Sequence, residues 1–180
     1  MPRFALSLLR HAKSSWDDPT LPDHERPLNP RGIKAANRIS RYLLEEGLLP
    51  DLVLSSDSVR TRATAALLFT PLEKPAPAIV YTNDLFLADP DQILAVVRRE
   101  AALLEKAPPR HIMVIGHNPG LQQLALALPS SGRRPDVEHL ALKYPTAALA
   151  HFTFDAKNWQ AIAPGRAVLK RFVTPKSLKD

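Results

Sequence analysis

At 180 residues, 45% of them hydrophobic, the chain is long enough to bury a core and too apolar to be disordered, yet it holds no apolar run near the ~20 residues of a membrane helix. The absence of cysteine excludes disulfides, thiolate nucleophiles and Cys-ligated zinc. A formal charge of +6 admits a nucleic-acid binder or an enzyme of acidic substrates, but Lys and Arg are spread along the chain. Their densest late cluster, "GRAVLKRFVTPKSLKD", carries no nucleic-acid motif and reads as a solvated surface.

Residues 1–180 read as one domain. The opening "MPRFALSLLR" has an apolar core too short for a signal peptide, no usable glycosylation sequon follows, and the expected compartment is the cytoplasm. Within that opening, "RFALSLL" reads as a strand. "RGIKAANRISRYLLEEG" reads as a helix with Ile39, Tyr42 and Leu43 near one face and Gly47 as its stop. "DLVLSS" is a strand and "SVRTRATAALLF" a helix; a Pro-rich connection, "TPLEKPAPA", leads to a strand around "AIVYT". "PDQILAVVRREAALLEK" is helical, "RHIMVIGH" a buried strand, and "PGLQQLALAL" a helix with Pro119 near its first turn. "SSGRRPD" reads as a turn-rich stretch. Two strands without an intervening helix follow, "TAALAHFTFD" and "RAVLKRFV", as a hairpin or an antiparallel edge.

Strands alternating with helices predict an α/β protein, a three-layer α/β/α sandwich with a mostly parallel sheet and an antiparallel edge. Ligands of such sheets lie beyond the carboxyl ends of the strands. Arg10 and His11 end one predicted strand, Ser55 and Ser56 a second, and Gly116, His117 and Asn118 a third. Either histidine alone reads as a structural residue, but two at separate strand ends can meet in one pocket. A neutral imidazole can attack phosphorus, and guanidinium groups suit the charge on a transferring phosphoryl group. Arg10 and Arg60, the latter in the first turn of the second helix, are placed for that work; Lys13 reads as an ordinary exposed lysine. No HExxH, His-x-x-x-His or EF-hand pattern is present, so no metal is expected, and neither a Walker A nor a GxSxG pattern appears. "GHNPG" can offer His117 and backbone amides to an anion at a helix start.

Together "LLRHAKS", "RPLNPRG", "SSDSVRTRATA" and "IGHNPGL" resemble the histidine phosphatase, or phosphoglycerate mutase-like, superfamily, and most closely its SixA-type phosphohistidine phosphatases. The resemblance covers most of the chain. It implies a phosphoglycerate mutase-like fold and a cofactor-independent reaction, with His11 as the phosphorylated nucleophile and Arg10, Arg60 and His117 as the phosphate pocket. Asn118 is a candidate phosphate neighbour or a turn residue. Larger members carry a glutamate soon after the third strand as general acid, but "YTNDLFLADPDQ" holds none. Asp18, Asp23, Asp84 and Asp89 are nearby carboxylates, and nothing in the sequence selects one. A phosphohistidine needs that acid less than an alkyl phosphate does, because imidazole leaves more readily than alkoxide. The expected partner is therefore a phosphorylated protein, without nucleic acid or membrane. A small phosphorylated metabolite and a phosphate-binding module without turnover are the alternatives.

Overall fold

The computed structural model describes residues 3–70, 76–104 and 106–178. Strand β1 (Arg3–Arg10) leads to helix α1 (Pro30–Glu45), β2 (Leu52–Ser56), α2 (Val59–Phe69), β3 (Ala78–Thr82), α3 (Pro90–Ala102) and β4 (His111–Gly116). Then follow α4 (Gly120–Ala127), β5 (Pro129–Gly132), α5 (Arg134–Leu142), β6 (Leu149–Asp155) and β7 (Ala167–Val173). Most of the Pro-rich connection, residues 71–75, lies outside the described residues.

Local chemistry explains the helix boundaries. At the start of α1 the Asn29 side chain accepts from the Gly32 amide at 2.8 Å and Pro30 occupies the first turn, where its missing N–H costs nothing. Past its end Gly47 adopts φ 64°, a left-handed conformation that glycine reaches without strain. Asp89 caps α3 in the same way as Asn29 caps α1, accepting from the Gln92 amide. Helix α3 ends at Ala102, four residues before the predicted stop at Lys106, because Leu103 and Leu104 find no core to bury against.

The seven strands form one sheet in the order β3-β2-β4-β1-β6-β7-β5. Strands β1 to β4 are mutually parallel, and β6 runs antiparallel to both β1 and β7. The pairing of β6 with β7 follows the sequence expectation; beyond it lies β5, parallel to β7, at the sheet's end. Neither β5 nor α5 is anticipated by the turn-like reading of "SSGRRPD". Strand β5 is the mostly exposed "PSSG", without apolar alternation, and α5 buries only Leu140, so no hydrophobic period marks either.

Alternation along the central strands sends side chains to two cores. Leu6, Leu8, Leu54, Ile112 and Val114 pack with Ile93, Val97 and Leu124 of α3 and α4. On the other face Leu9, Val53, Met113 and Ile115 pack with Ile39, Leu43, Ala65 and Leu68 of α1 and α2. Each such buried aliphatic side chain contributes roughly 1.5–3 kcal/mol against exposure, and the two layers together fix the sheet as a rigid floor. Among the described residues no helix is long and apolar enough to cross a membrane.

Candidate active site

Strand order brings the polar strand ends together. Insertion of β4 between β1 and β2 pairs Arg10 with Gly116, so His11 and His117 leave adjacent strands side by side. Ser56 ends β2 on the other flank of β4, and the first turn of α2 supplies Arg60. The His11 and His117 ring centroids are 5.2 Å apart. These groups line an open depression of about 300 Å³ with Arg10, Lys13, Ser14, Trp16, Asp23 and Arg26. The sequence-predicted His11, Arg10, Arg60, His117 and Asn118 all reach it.

His11 is 7% exposed and firmly seated. Its amide donates to the Gly116 carbonyl at 3.1 Å, its carbonyl accepts from the Ala147 amide at 3.0 Å, and the following amide of Ala12 donates to Thr64 Oγ1 at 3.0 Å. The ring Nδ1 lies 2.7 Å from the Ala12 carbonyl oxygen. A carbonyl can only accept, so Nδ1 carries the proton and Nε2 keeps its lone pair. Burial, reinforced by the charges of Arg60, Arg10 and Arg26, outweighs the raising effect of that hydrogen bond and lowers the His11 pKa to about 4. The ring is thus neutral at pH 7 and competent as a nucleophile at Nε2.

His117 has the opposite tautomer. An Arg60 Nη2 hydrogen points at its Nδ1 across 3.3 Å, and a guanidinium cannot accept, so the His117 proton sits on Nε2 and donates to Ser56 Oγ at 2.8 Å. Burial, with His11 and Arg60 beside it, lowers its pKa to about 3. Arg60 is 3% exposed and meets Asp23 twice, donating to the Asp23 backbone carbonyl and, at 2.9 Å, to its Oδ2. The other carboxylate oxygen accepts from Arg26 at 3.0 Å, while Arg26 also donates to Ser14 Oγ at 2.7 Å and the Ser15 carbonyl at 3.0 Å. The Trp16 ring, 74% exposed, stacks on Arg26 with the guanidinium carbon 3.2 Å from its centroid.

Arg10 and Asn118 converge on one acceptor. Arg10 Nη1 donates to the Tyr144 carbonyl at 2.9 Å and Asn118 Nδ2 donates to the same oxygen at 3.1 Å. Among the described residues Arg10 Nε, a buried donor, has no partner and fits an oxyanion, whereas Asn118 Oδ1, also without one, is an acceptor and suits none. In this arrangement Asn118 braces the turn after β4, and its amide is already spent.

Of the four carboxylates open in the sequence, only Asp23 lines the pocket. Asp84 pairs with Arg99, Asp89 caps α3, and Asp18 accepts from Thr20. Burial pushes the Asp23 carboxyl up, but hydrogen bonds from Arg26 and Arg60, together with their charges, hold it below the usual carboxylate range. It is ionised and cannot serve as a proton donor at neutral pH. Among the described residues no three His, Cys, Asp or Glu side chains gather as a metal-holding group.

Sequence reading missed Arg26, which lies inside the quoted "RPLNPRG", and left Asp23 unselected. Its signal was present but weak, since an arginine before a proline in a long loop has no period or spacing that points inward.

An open pocket of guanidinium groups around a neutral histidine, at the carboxyl end of the parallel strands of a mixed α/β sheet, defines a phosphoryl-handling enzyme class. The model of the histidine phosphatase superfamily (branch 1) matches residues 6–84, a span that includes His11 and Arg60. An uncharacterized protein of Mycobacterium tuberculosis, Rv1276c, is 34% identical over 170 residues, covering 93% of this chain and 100% of that protein. An uncharacterized chloroplastic protein of Arabidopsis thaliana, At3g52155, is 31% identical over 96% of this chain and 78% of its own length. The chain belongs to the histidine phosphatase superfamily. Within it the chain is SixA-like. A crystal structure assigned as the phosphohistidine phosphatase SixA from Agrobacterium tumefaciens superposes with a TM-score of 0.74 at 27% identity, covering 96% of this chain and 98% of that one. The fold is shared as well with the protein histidine phosphatase SixA complexed with tungstate, at a TM-score of 0.72 and 21% identity over 98% of this chain and 100% of that one.

Proposed function

We propose that this phosphatase hydrolyses phosphohistidine on a protein through a covalent phospho-His11 intermediate and without a cofactor. His11 Nε2 attacks phosphorus, the bond from phosphorus to the substrate imidazole breaks, and that imidazole takes a proton from solvent. Water then attacks the phosphorus of phospho-His11. The bond to Nε2 breaks, the proton of the attacking water passes to solvent, and inorganic phosphate leaves. Arg10 and Arg60, joined by Arg26, neutralise the transferring group, while neutral His117 completes the pocket by holding Arg60 through its Nδ1 lone pair; this preorganisation is where such sites gain most of their rate.

The observation that carries this reading is the His11 tautomer: a hydrogen bond to the next residue's carbonyl directs the free lone pair of a neutral ring among guanidinium groups. Two features favour a phosphoramidate. The pocket's carboxylate, Asp23, is ionised, so an alkoxide leaving group would find no proton there, and the depression is open enough for a side chain presented by another protein.

Turnover of a phosphohistidine-bearing protein by the wild type and by His11→Ala, with a sugar phosphate assayed in parallel, tests it. Phosphate release by the wild type alone, chiefly from the protein, is the expected result. Preference for the sugar phosphate would replace the substrate class, and silence on both would leave a phosphate-binding module.

A further inference from the structure

A carboxylate sits where a phosphoryl group would be expected to find only cations. Asp23 spans the two guanidinium groups on one side of the pocket, Oδ1 on Arg26 at 3.0 Å and Oδ2 on Arg60 at 2.9 Å. Its backbone carbonyl takes the second terminal nitrogen of Arg60. Both prongs of the Arg60 fork are therefore held by one residue of the chain itself. Asp23 lies on a short 3-10 turn, Asp23–Glu25, and its side chain is 48% exposed, so it can leave the fork without disturbing a core.

We propose that Asp23 is a resident competitor for the phosphate clamp, holding Arg26 and Arg60 in the free protein, yielding them to a bound phosphoryl group, and retaking them as inorganic phosphate departs. The inference rests on the phosphatase reading and deepens it by assigning a residue to product release. Oδ1 and Oδ2 of Asp23 each take one guanidinium, as two oxygens of a phosphate bridging Arg26 and Arg60 would, so the exchange replaces one oxyanion by another on the same donors. Because the competitor is tethered, its local concentration exceeds that of any free anion and does not fall as phosphate accumulates. Its cost falls on substrate and product alike, which lowers ground-state affinity and favours release. A simple positioning role predicts the reverse: loss of the carboxylate would let the arginines stray and weaken phosphate binding.

The test is calorimetric binding of inorganic phosphate to the wild type, Asp23→Asn and Asp23→Ala, with thermal melts as a check on folding. Competition predicts binding about tenfold tighter in both variants, equal to about 1.4 kcal/mol, with a lower KM, stronger phosphate inhibition and a lower kcat limited by release. Unchanged or weaker phosphate binding in the folded variants overturns the proposal. Phosphohistidine turnover on the same preparations separates the two failures: an active wild type with unaltered phosphate affinity in the variants sinks only the role of Asp23. An inactive wild type in which neither it nor the variants bind phosphate sinks the phosphatase reading as well.

Discussion

The rings of His11 and His117, 5.2 Å apart and tilted by 50°, hold their protons on different nitrogens. Nδ1 of His11 donates to Ala12, whereas Nε2 of His117 donates to Ser56. The free lone pair of His117 faces Arg60 and sits on the other ring nitrogen from that of His11, so the two rings are not interchangeable. On the proposed mechanism His11→Ala loses turnover by on the order of 10⁴-fold or more and forms no phosphoenzyme. His117→Ala, which removes the acceptor that orients Arg60 and not the nucleophile, loses about 10²-fold and still becomes phosphorylated. Quench-flow with mass analysis of the trapped protein distinguishes the two.

Acid tolerance of catalysis follows from the His11 environment. Attack requires the neutral ring, and a pKa lowered to about 4 extends that form well below the ordinary histidine value of 6.5. The acid limb of kcat/KM for the free enzyme should therefore fall near pH 4. A limb at 6.5 would mean that His11 is not held as described.

Stability should fall on acidification as well, and from a higher pH than catalysis does. Beneath α1, His151 Nδ1 donates to Ser7 Oγ at 2.9 Å, Ser7 donates to His111 Nε2 at 2.7 Å, and His111 Nδ1 donates to the Leu49 carbonyl at 3.2 Å. Burial lowers the pKa of both histidines, that of His151 to about 4. Below pH 6.5 the unfolded chain binds protons that the folded chain refuses, so stability is full above 6.5 and declines as pH falls toward 4. Melting temperatures taken from pH 7 to 4.5 should drop, and drop less in His151→Gln, which lies outside the pocket and keeps its activity. A flat profile in the wild type would contradict the relay.

Gly32 marks a backbone contact that sets the segment following His11. A Cβ there would lie 2.1 Å from the Lys13 carbonyl oxygen, which also accepts from the Asn29 amide at 3.0 Å. Gly32→Ala should destabilise the protein by about 1–3 kcal/mol, the usual cost of overpacking, and lower activity by shifting the segment after His11. Urea denaturation and initial rates read the two effects.

Helix α1 was legible in the sequence because burial imposes a period: Ile39 and Leu43, read as one face, are both buried, and the helix begins one residue before its reading; β3 begins and ends where "AIVYT" does, and α2 differs from its reading by a residue, although neither has a strong apolar period. Strand β5 and helix α5 were not legible, since one holds its place by backbone pairing to β7 and the other by a single buried leucine. At the site, residues at strand ends could be placed from the alternation of elements alone. Asp23 and Arg26 could not, because a long loop folds back on side-chain hydrogen bonds that leave no spacing behind.

The interpolation of β4 between β1 and β2 gives the pocket an order of birth. His11 emerges among the first residues of the chain, yet its neighbours Gly116 and Ala147 arrive only after most of the rest has been made. Until β4 fills the gap, nothing joins β1 to β2, and His11 stands apart from Arg60 and His117. On the proposed mechanism a chain that ends before β4 should neither bind phosphate nor turn over substrate.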